Sequence, residues 1–322
     1  MKRLPLFLFI AAFSLLARAE KLTFIPVWTP QAQFAGYYVA HEMGYYTDEG
    51  LDVTIEHVGI NSSQTPLAAL MEGHAQIIGQ QLMQAIVYRS NGAPIVNILQ
   101  TSQNNSLMCV SRTPMTKLED LNGKKIGTWT SGHSEAFNIM AADKGLNIEM
   151  IPSMQSLNLY MFDAIDATLC YAYNEYIQLL LAKGEIAEEQ IVRLSDLGYN
   201  YPEDGIYVME DWLKDHANEA ARFVRATMRG WRYCRSYPDK ALDIVMKYVH
   251  ENDIVTSYVH QKMMLEEILR QQMNPKTQKV DFQYVSRELF DEIAGKMHQS
   301  GMFEQPVTYN ELIHPLSVVR QQ

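Results

Sequence analysis

Along this chain the apolar positions alternate between two spacings. Stretches with every second residue apolar predict strands, and stretches repeating every three to four residues predict helices. Read this way, a strand at 21–27 is followed by a helix at 35–43 ending near Gly44, a strand at 51–57 and a helix at 66–72. A short strand at 76–79, a helix at 81–90 stopped by Asn91-Gly92, and a strand at 94–100 continue the run. That alternation predicts a mostly parallel sheet covered by helices.

A second unit opens after a polar turn at 118–124. It predicts a strand at 125–129, then a helix running to Lys144 with Ser131 or Ser134 as its N-cap. Strands at 146–151 and 169–173 follow, and a helix at 174–183 stops at Gly184. The remainder reads as helical. In 211–235, Leu213, Ala220, Val224, Met228, Trp231 and Cys234 fall on one stripe, and further amphipathic helices are expected at 241–250, 254–271 and 286–300.

The first 19 residues stand outside this pattern. Lys2 and Arg3 precede an apolar run at 4–16, and Ala17-Arg18-Ala19 places small residues at the two cleavage-determining positions, the pattern of a secretory leader. The expected mature chain starts at Glu20 and is exported to the periplasm. No cysteine follows the apolar run, so no lipid anchor is expected, and no later stretch has the length and apolarity of a spanning helix.

About 300 remaining residues exceed what one core usually serves, so two lobes are expected. The formal net charge of −10 argues against a nucleic-acid partner. Cys109, Cys170 and Cys234 are odd in number and lack C-x-x-C spacing, so they read as small buried side chains. The 18 methionines fall mostly on helical stripes and read as core filling; neither a metal nor another cofactor is expected.

The candidate chemistry lies where strands hand over to helices, the place where open α/β sheets bind ligands. After the first strand come Trp28, a flat apolar surface, and Gln31 and Gln33, each able to donate or accept. Trp28 serves equally well as a plug for the sheet end. Tyr171-Ala172-Tyr173-Asn174-Glu175-Tyr176 lies at a later strand's end; Glu175, among three tyrosines, suits the N–H edge of an aminopyrimidine or an amidine, or simply the dipole of the helix it opens. Trp129, Ser131 and His133 lie on a turn whose backbone N–H groups suit a polar ligand. Gly79-Gln80-Gln81 makes a fourth junction. No Ser/His/Asp set, H-E-x-x-H or phosphate-loop spacing is present.

Trp28-Thr29-Pro30 through Phe34-Ala35-Gly36-Tyr37-Tyr38-Val39-Ala40, Gly44-Tyr45-Tyr46, Glu49-Gly50-Leu51-Asp52-Val53 and Tyr173-Asn174-Glu175-Tyr176 closely resemble the ThiY-type thiamine-precursor binding proteins. These are type II periplasmic binding proteins of ABC importers. The resemblance implies an α/β fold of two lobes joined by a two-strand hinge, with the ligand in the interlobe cleft. Lobe 1 would hold 20–104 and 203–322, and lobe 2 would hold 105–202. It also implies a monomer, an aminopyrimidine stacked between Trp28 and Tyr37 or Tyr173, and permease and ATPase partners.

The same superfamily contains thiamine pyrimidine synthases and binders of riboflavin, sulfonates and nitrate. The synthases carry a lysine and a histidine where this chain has Gln80 and Gln84. They also carry an iron-binding cysteine motif where it has Asn200-Tyr201-Pro202-Glu203-Asp204-Gly205. Catalysis is therefore not expected.

Overall fold

The protein is described by a computed structural model covering residues 19–58, 64–129, 132–153, 156–274, 277, 280 and 282–320. The leader expected at 1–19 lies outside these residues except for Ala19, and Ser131 lies outside them as well.

Among the described residues ten strands form two five-stranded sheets. The first combines β1 (Glu20–Ile25), β2 (Leu51–Ile55), β3 (Ile77–Gln81), β4 (Ile95–Gln100) and β10 (Asp204–Met209) in the order β2-β1-β3-β10-β4. The second combines β5 (Leu107–Ser111), β6 (Lys125–Thr128), β7 (Glu149–Pro152), β8 (Ala167–Tyr171) and β9 (Ile191–Arg193) in the order β7-β6-β8-β5-β9. Each sheet is the centre of one α/β lobe, and the chain passes between them after β4 and again after β9.

Neither sheet is as parallel as the alternation suggested. β1 pairs in parallel with β2 and β3, and β6 with β7 and β8. Yet β10 runs antiparallel between β3 and β4, and β5 antiparallel between β8 and β9. Both antiparallel strands are the ones the chain enters immediately after a crossing. Leu-Met-Cys-Val-Ser in β5 and Gly-Ile-Tyr-Val in β10 are buried throughout, so neither shows the two-residue alternation that marks a half-exposed strand.

The helices are α1 (Ala35–Glu42), α2 (Tyr45–Asp48), α3 (Pro66–Met71), α4 (Leu82–Ser90), α5 (Glu135–Asp143), α6 (Asn158–Met161), α7 (Glu175–Lys183), α8 (Glu210–Asp215), α9 (Ala217–Ser236), α10 (Pro238–Glu251), α11 (Tyr258–Gln271) and α12 (Arg287–Gln299). The single helix expected at 211–235 is two, α8 and α9, because His216 leaves helical geometry with φ −125° and ψ 29°. The helix expected from 254 starts at Tyr258, where the Ser257 hydroxyl accepts the His260 N–H at 3.1 Å and so caps it. No helix among the described residues is long and apolar enough to cross a membrane. All three cysteines are buried and free.

α9 packs against α1 at unusually close range. A Cβ on Gly230 would stand 2.0 Å from the Gly36 carbonyl oxygen, and one on Gly36 would stand 2.2 Å from the Trp231 ring. Backbone cannot yield as a flexible side chain does, so Gly230→Ala is expected to separate the helices. The expected loss is about 1–3 kcal/mol or more. A denaturant midpoint equal to the wild type would refute this close approach.

Candidate ligand-binding cleft

Four strand ends converge between the lobes. β1 leads into the segment carrying Trp28 and Gln31, and β3 ends on Gln81. β6 gives way to Trp129, and β8 ends at Tyr171 just before Tyr173, Asn174 and Glu175. Side chains from all four ends, with His133 from the turn before α5, line one small cavity of about 40 Å³. The first two strand ends belong to one lobe and the last two to the other.

The rings are arranged in two groups. From lobe 2, Trp129 lies 5.0 Å from Tyr171, which stacks on Tyr173 at 5.2 Å and 16°. From lobe 1, Trp28 meets the edge of His133 at 6.4 Å and 86°. Trp28 is only partly buried. Its carbonyl oxygen accepts from His57 Nδ1 at 2.6 Å, so the backbone is held independently of the ring.

The polar groups are tied together before any ligand is considered. Gln81 Oε1 accepts from the Tyr171 hydroxyl at 3.1 Å and from His133 Nδ1 at 3.0 Å, so one lobe 1 amide clasps two lobe 2 side chains. Because an amide oxygen can only accept, His133 carries its proton on Nδ1 and leaves Nε2 as an acceptor. Burial lowers the His133 imidazole to about 4, so it is neutral at pH 7. Its backbone sits in the left-handed region at φ 69°, uncommon for a residue with a side chain.

Glu175 is the first residue of α7. It accepts from the Tyr171 N–H at 3.0 Å and the Asn174 amide at 3.1 Å, and Trp129 also donates to it. Burial nevertheless raises its carboxyl above the ordinary value. Its own N–H is a fourth donor, so the four or so acceptor positions of the carboxylate are all engaged within the protein, and a ligand N–H would have to share or displace one of them.

Of the residues singled out from the sequence, Trp28, Gln31, Gln81, Trp129, His133, Tyr173, Asn174 and Glu175 come together around this cavity. Tyr37 does not line it: its ring packs 4.5 Å from Phe24 and 5.8 Å from Trp231. Gln80 also points elsewhere, its Oε1 accepting the Gln81 N–H at 2.8 Å. A residue on a strand alternates faces with its neighbour, and Gln81 takes the cleft side. Gln33 and Tyr171, named with those segments but not among the chosen ligand contacts, line the cavity as well.

A larger groove of about 550 Å³ opens beside the crossings, between α7 and α11. Its two arginines are already engaged, Arg193 by Glu188 and Arg270 by Glu267. Among the described residues Tyr176 is its one aromatic lining residue, and they offer no pair of facing rings there.

Comparison with known proteins places this geometry in context. The family model described as "NMT1/THI5 like" matches residues 31–241. The riboflavin-binding protein RibY of Chloroflexus aurantiacus is 24% identical over 89% of this chain and 83% of its own. A formylaminopyrimidine-binding protein of Halalkalibacterium halodurans is 24% identical over 87% of this chain and 85% of its own. A Saccharomyces cerevisiae protein named 4-amino-5-hydroxymethyl-2-methylpyrimidine phosphate synthase is 22% identical over 69% of each chain. Among solved structures, the periplasmic aliphatic sulphonate binding protein of Escherichia coli superposes with a TM-score of 0.69. It is 13% identical, covering 94% of this chain and 99% of that one.

Proposed function

The chain belongs to the NMT1/THI5-like family, and on that premise we propose that it is the solute-binding component of an ABC importer, taking a thiamine precursor of the aminopyrimidine type into its cleft. The observation that carries this reading is the pairing of aromatic surfaces from both lobes with a buried carboxylate at their edge. Trp28 supplies one face, the Trp129, Tyr171 and Tyr173 group the other, and Glu175 the acceptor. Each ring-on-aromatic stack contributes about 1–3 kcal/mol. A carboxylate facing a ring amino group adds about 1.5–3 kcal/mol as a charge-assisted hydrogen bond. Together they suffice for micromolar or tighter binding once the costs of association are met.

In this reading the lobes comprise 20–104 with 203–322, and 105–202. The hinge is formed by the two crossings, and the protein is exported after cleavage near Ala19 to meet a permease and its ATPase. The reading includes no catalytic step. Gln80 and Gln84 stand where the synthases' lysine and histidine fall, and 200–205 contains no cysteine. An anion would be disfavoured beside Glu175, which argues against a sulfonate or nitrate as ligand.

The test is a thermal-shift panel on the mature protein with an aminopyrimidine, thiamine, riboflavin, taurine and nitrate. The aminopyrimidine is expected to raise the melting temperature most. Stabilisation by riboflavin alone, or by taurine or nitrate alone, would overturn the ligand assignment while keeping a binding protein. Turnover of the bound pyrimidine would overturn the reading as a binder.

A further inference from the structure

Asp204, the first residue of β10, does not line the cavity, but it is connected to it through two amides. Gln33 Nε2 donates to Asp204 Oδ2 at 2.7 Å, and Gln31 Nε2 donates to Gln33 Oε1 at 2.6 Å. Gln31 and Gln33 are both buried and both line the cavity. An ionised carboxylate accepts hydrogen bonds and donates none, so the Gln33 group facing it must be the NH₂. That turns the Gln33 oxygen toward Gln31, and Gln31 in turn must present its own NH₂ to Gln33. Its carbonyl oxygen is what remains: Gln31 Oε1 has no partner and is not sealed from the cavity among the described residues.

We propose that Asp204 is a positioning residue which, through Gln33, fixes the Gln31 carbonyl oxygen as an acceptor toward the ligand. The cleft is thereby selective for a ring that offers an N–H there over one that offers a carbonyl oxygen. The inference rests on the reading of the cleft as a heterocycle site. Asp204 itself is well placed for the task. Its main-chain oxygen accepts from Thr101 Oγ1 at 2.9 Å and Gln100 Nε2 at 2.8 Å, which anchor it, while its other carboxylate oxygen, Oδ1, is buried without a partner among the described residues. Among the described residues, Gln33 Nε2 is thus the one hydrogen-bond donor to this carboxyl.

A 4-aminopyrimidine and its 4-oxo counterpart test this directly, because they exchange an N–H donor for an acceptor with little change in shape. The wild type is expected to favour 4-amino-5-hydroxymethyl-2-methylpyrimidine over the 4-oxo compound by about 10- to 100-fold, since a mismatched buried acceptor loses its hydrogen bond. Asp204→Asn accepts or donates with equal ease, so the preference should fall below about 3-fold while the fold is kept. Gln33→Met, which cuts the connection at the next link, should do the same and serves if Asp204→Asn fails to fold. A ratio unchanged in a folded variant, or no preference in the wild type, overturns the proposal.

A ligand-free readout separates this from the functional reading. In nitrogen-15 spectra, the Gln33 side-chain amide, assigned by its loss in Gln33→Met, should move in Asp204→Asn; an unmoved signal also overturns the proposal. If the wild type binds neither pyrimidine but that signal moves, the orientation of Gln31 stands and the pyrimidine reading falls.

Discussion

Trp28→Ala will raise the dissociation constant for an aminopyrimidine by about 10- to 100-fold, the loss of one ring stack of roughly 1–3 kcal/mol, and will leave the melting temperature nearly unchanged. Two features make this substitution clean. The ring is only partly buried, so its removal leaves no large sealed void in the core. The backbone at Trp28 is held through its carbonyl oxygen by His57, whose own Nε2 bonds the Tyr38 hydroxyl at 2.8 Å, and neither contact uses the indole. Calorimetric titration of the variant beside the wild type gives the answer. Equal affinities would make Trp28 a plug for the end of the first sheet and remove one wall of the proposed site.

The second large effect concerns pH. Glu203 lies in the second crossing with its carboxyl 2.7 Å from the Ser106 N–H of the first, and its own N–H donates to the Ser102 hydroxyl at 2.7 Å. Burial pushes its carboxyl up to about 8 despite the Ser106 N–H and hydroxyl that donate to it, and the adjacent Asp204, itself raised to about 6, adds to the effect. The folded protein therefore holds the Glu203 proton up to about pH 8, whereas the unfolded chain releases it near the ordinary value of 4.5. A state that binds more protons is weakened as pH rises, so this contribution is full below the unfolded value and is lost toward pH 8.

His57 and His133, both lowered to about 4 by burial, act in the opposite sense. They add stability as pH rises from about 4 to the ordinary imidazole value of 6.5, offsetting the two acids over that range. At pH 6.5 the unfolded imidazoles are still half protonated, so His57, His133 and His260, all lowered by burial, go on adding some stability to about pH 7.5. Comparison with Glu203→Gln, which keeps the shape and stays neutral, cancels that contribution. At about 1.4 kcal/mol per pH unit, the wild type should lose about 2 kcal/mol relative to Glu203→Gln between pH 6.5 and 8. Denaturant midpoints of both proteins at the two pH values decide it: parallel profiles would mean that Glu203 is ionised in the folded protein.

The division into strand–helix units was legible because most elements expose one face and so display their period. β5 and β10 expose neither, and a short apolar run gives no direction; their antiparallel course follows from the chain crossing between lobes, which no local pattern records. The break at His216 is similarly hidden. Its ring stacks on Trp212 at 4.8 Å and 1°, a contact that a helical spacing of four residues accommodates with or without a kink.

Residues immediately past strand ends meet around the cavity because sheet topology gathers them. Tyr37, third in α1, faces Phe24 and Trp231 and not the cavity, because the rotation of a helix about its axis is set by packing that no local pattern records. Gln33 was noticed only as a polar neighbour of Gln31. What gives it a role is Asp204, 171 residues away in sequence.

The smallness of the cavity bears on how tightly anything is held. At about 40 Å³ it has room for a few water molecules, each needing roughly 10–15 Å³ by that measure, and is too small for a substituted ring. Gln81 keeps it so by joining His133 and Tyr171 across the gap. The lobes thus carry a clasp of their own, and a solute in the cleft would compete with it as well as with solvent. The measured dissociation constant is then the intrinsic one divided by the fraction of molecules standing open. Loosening Gln81 acts on both quantities at once. A variant that lost one hydrogen bond to the solute could still bind more tightly than its parent, so affinity alone would misreport which groups the solute touches.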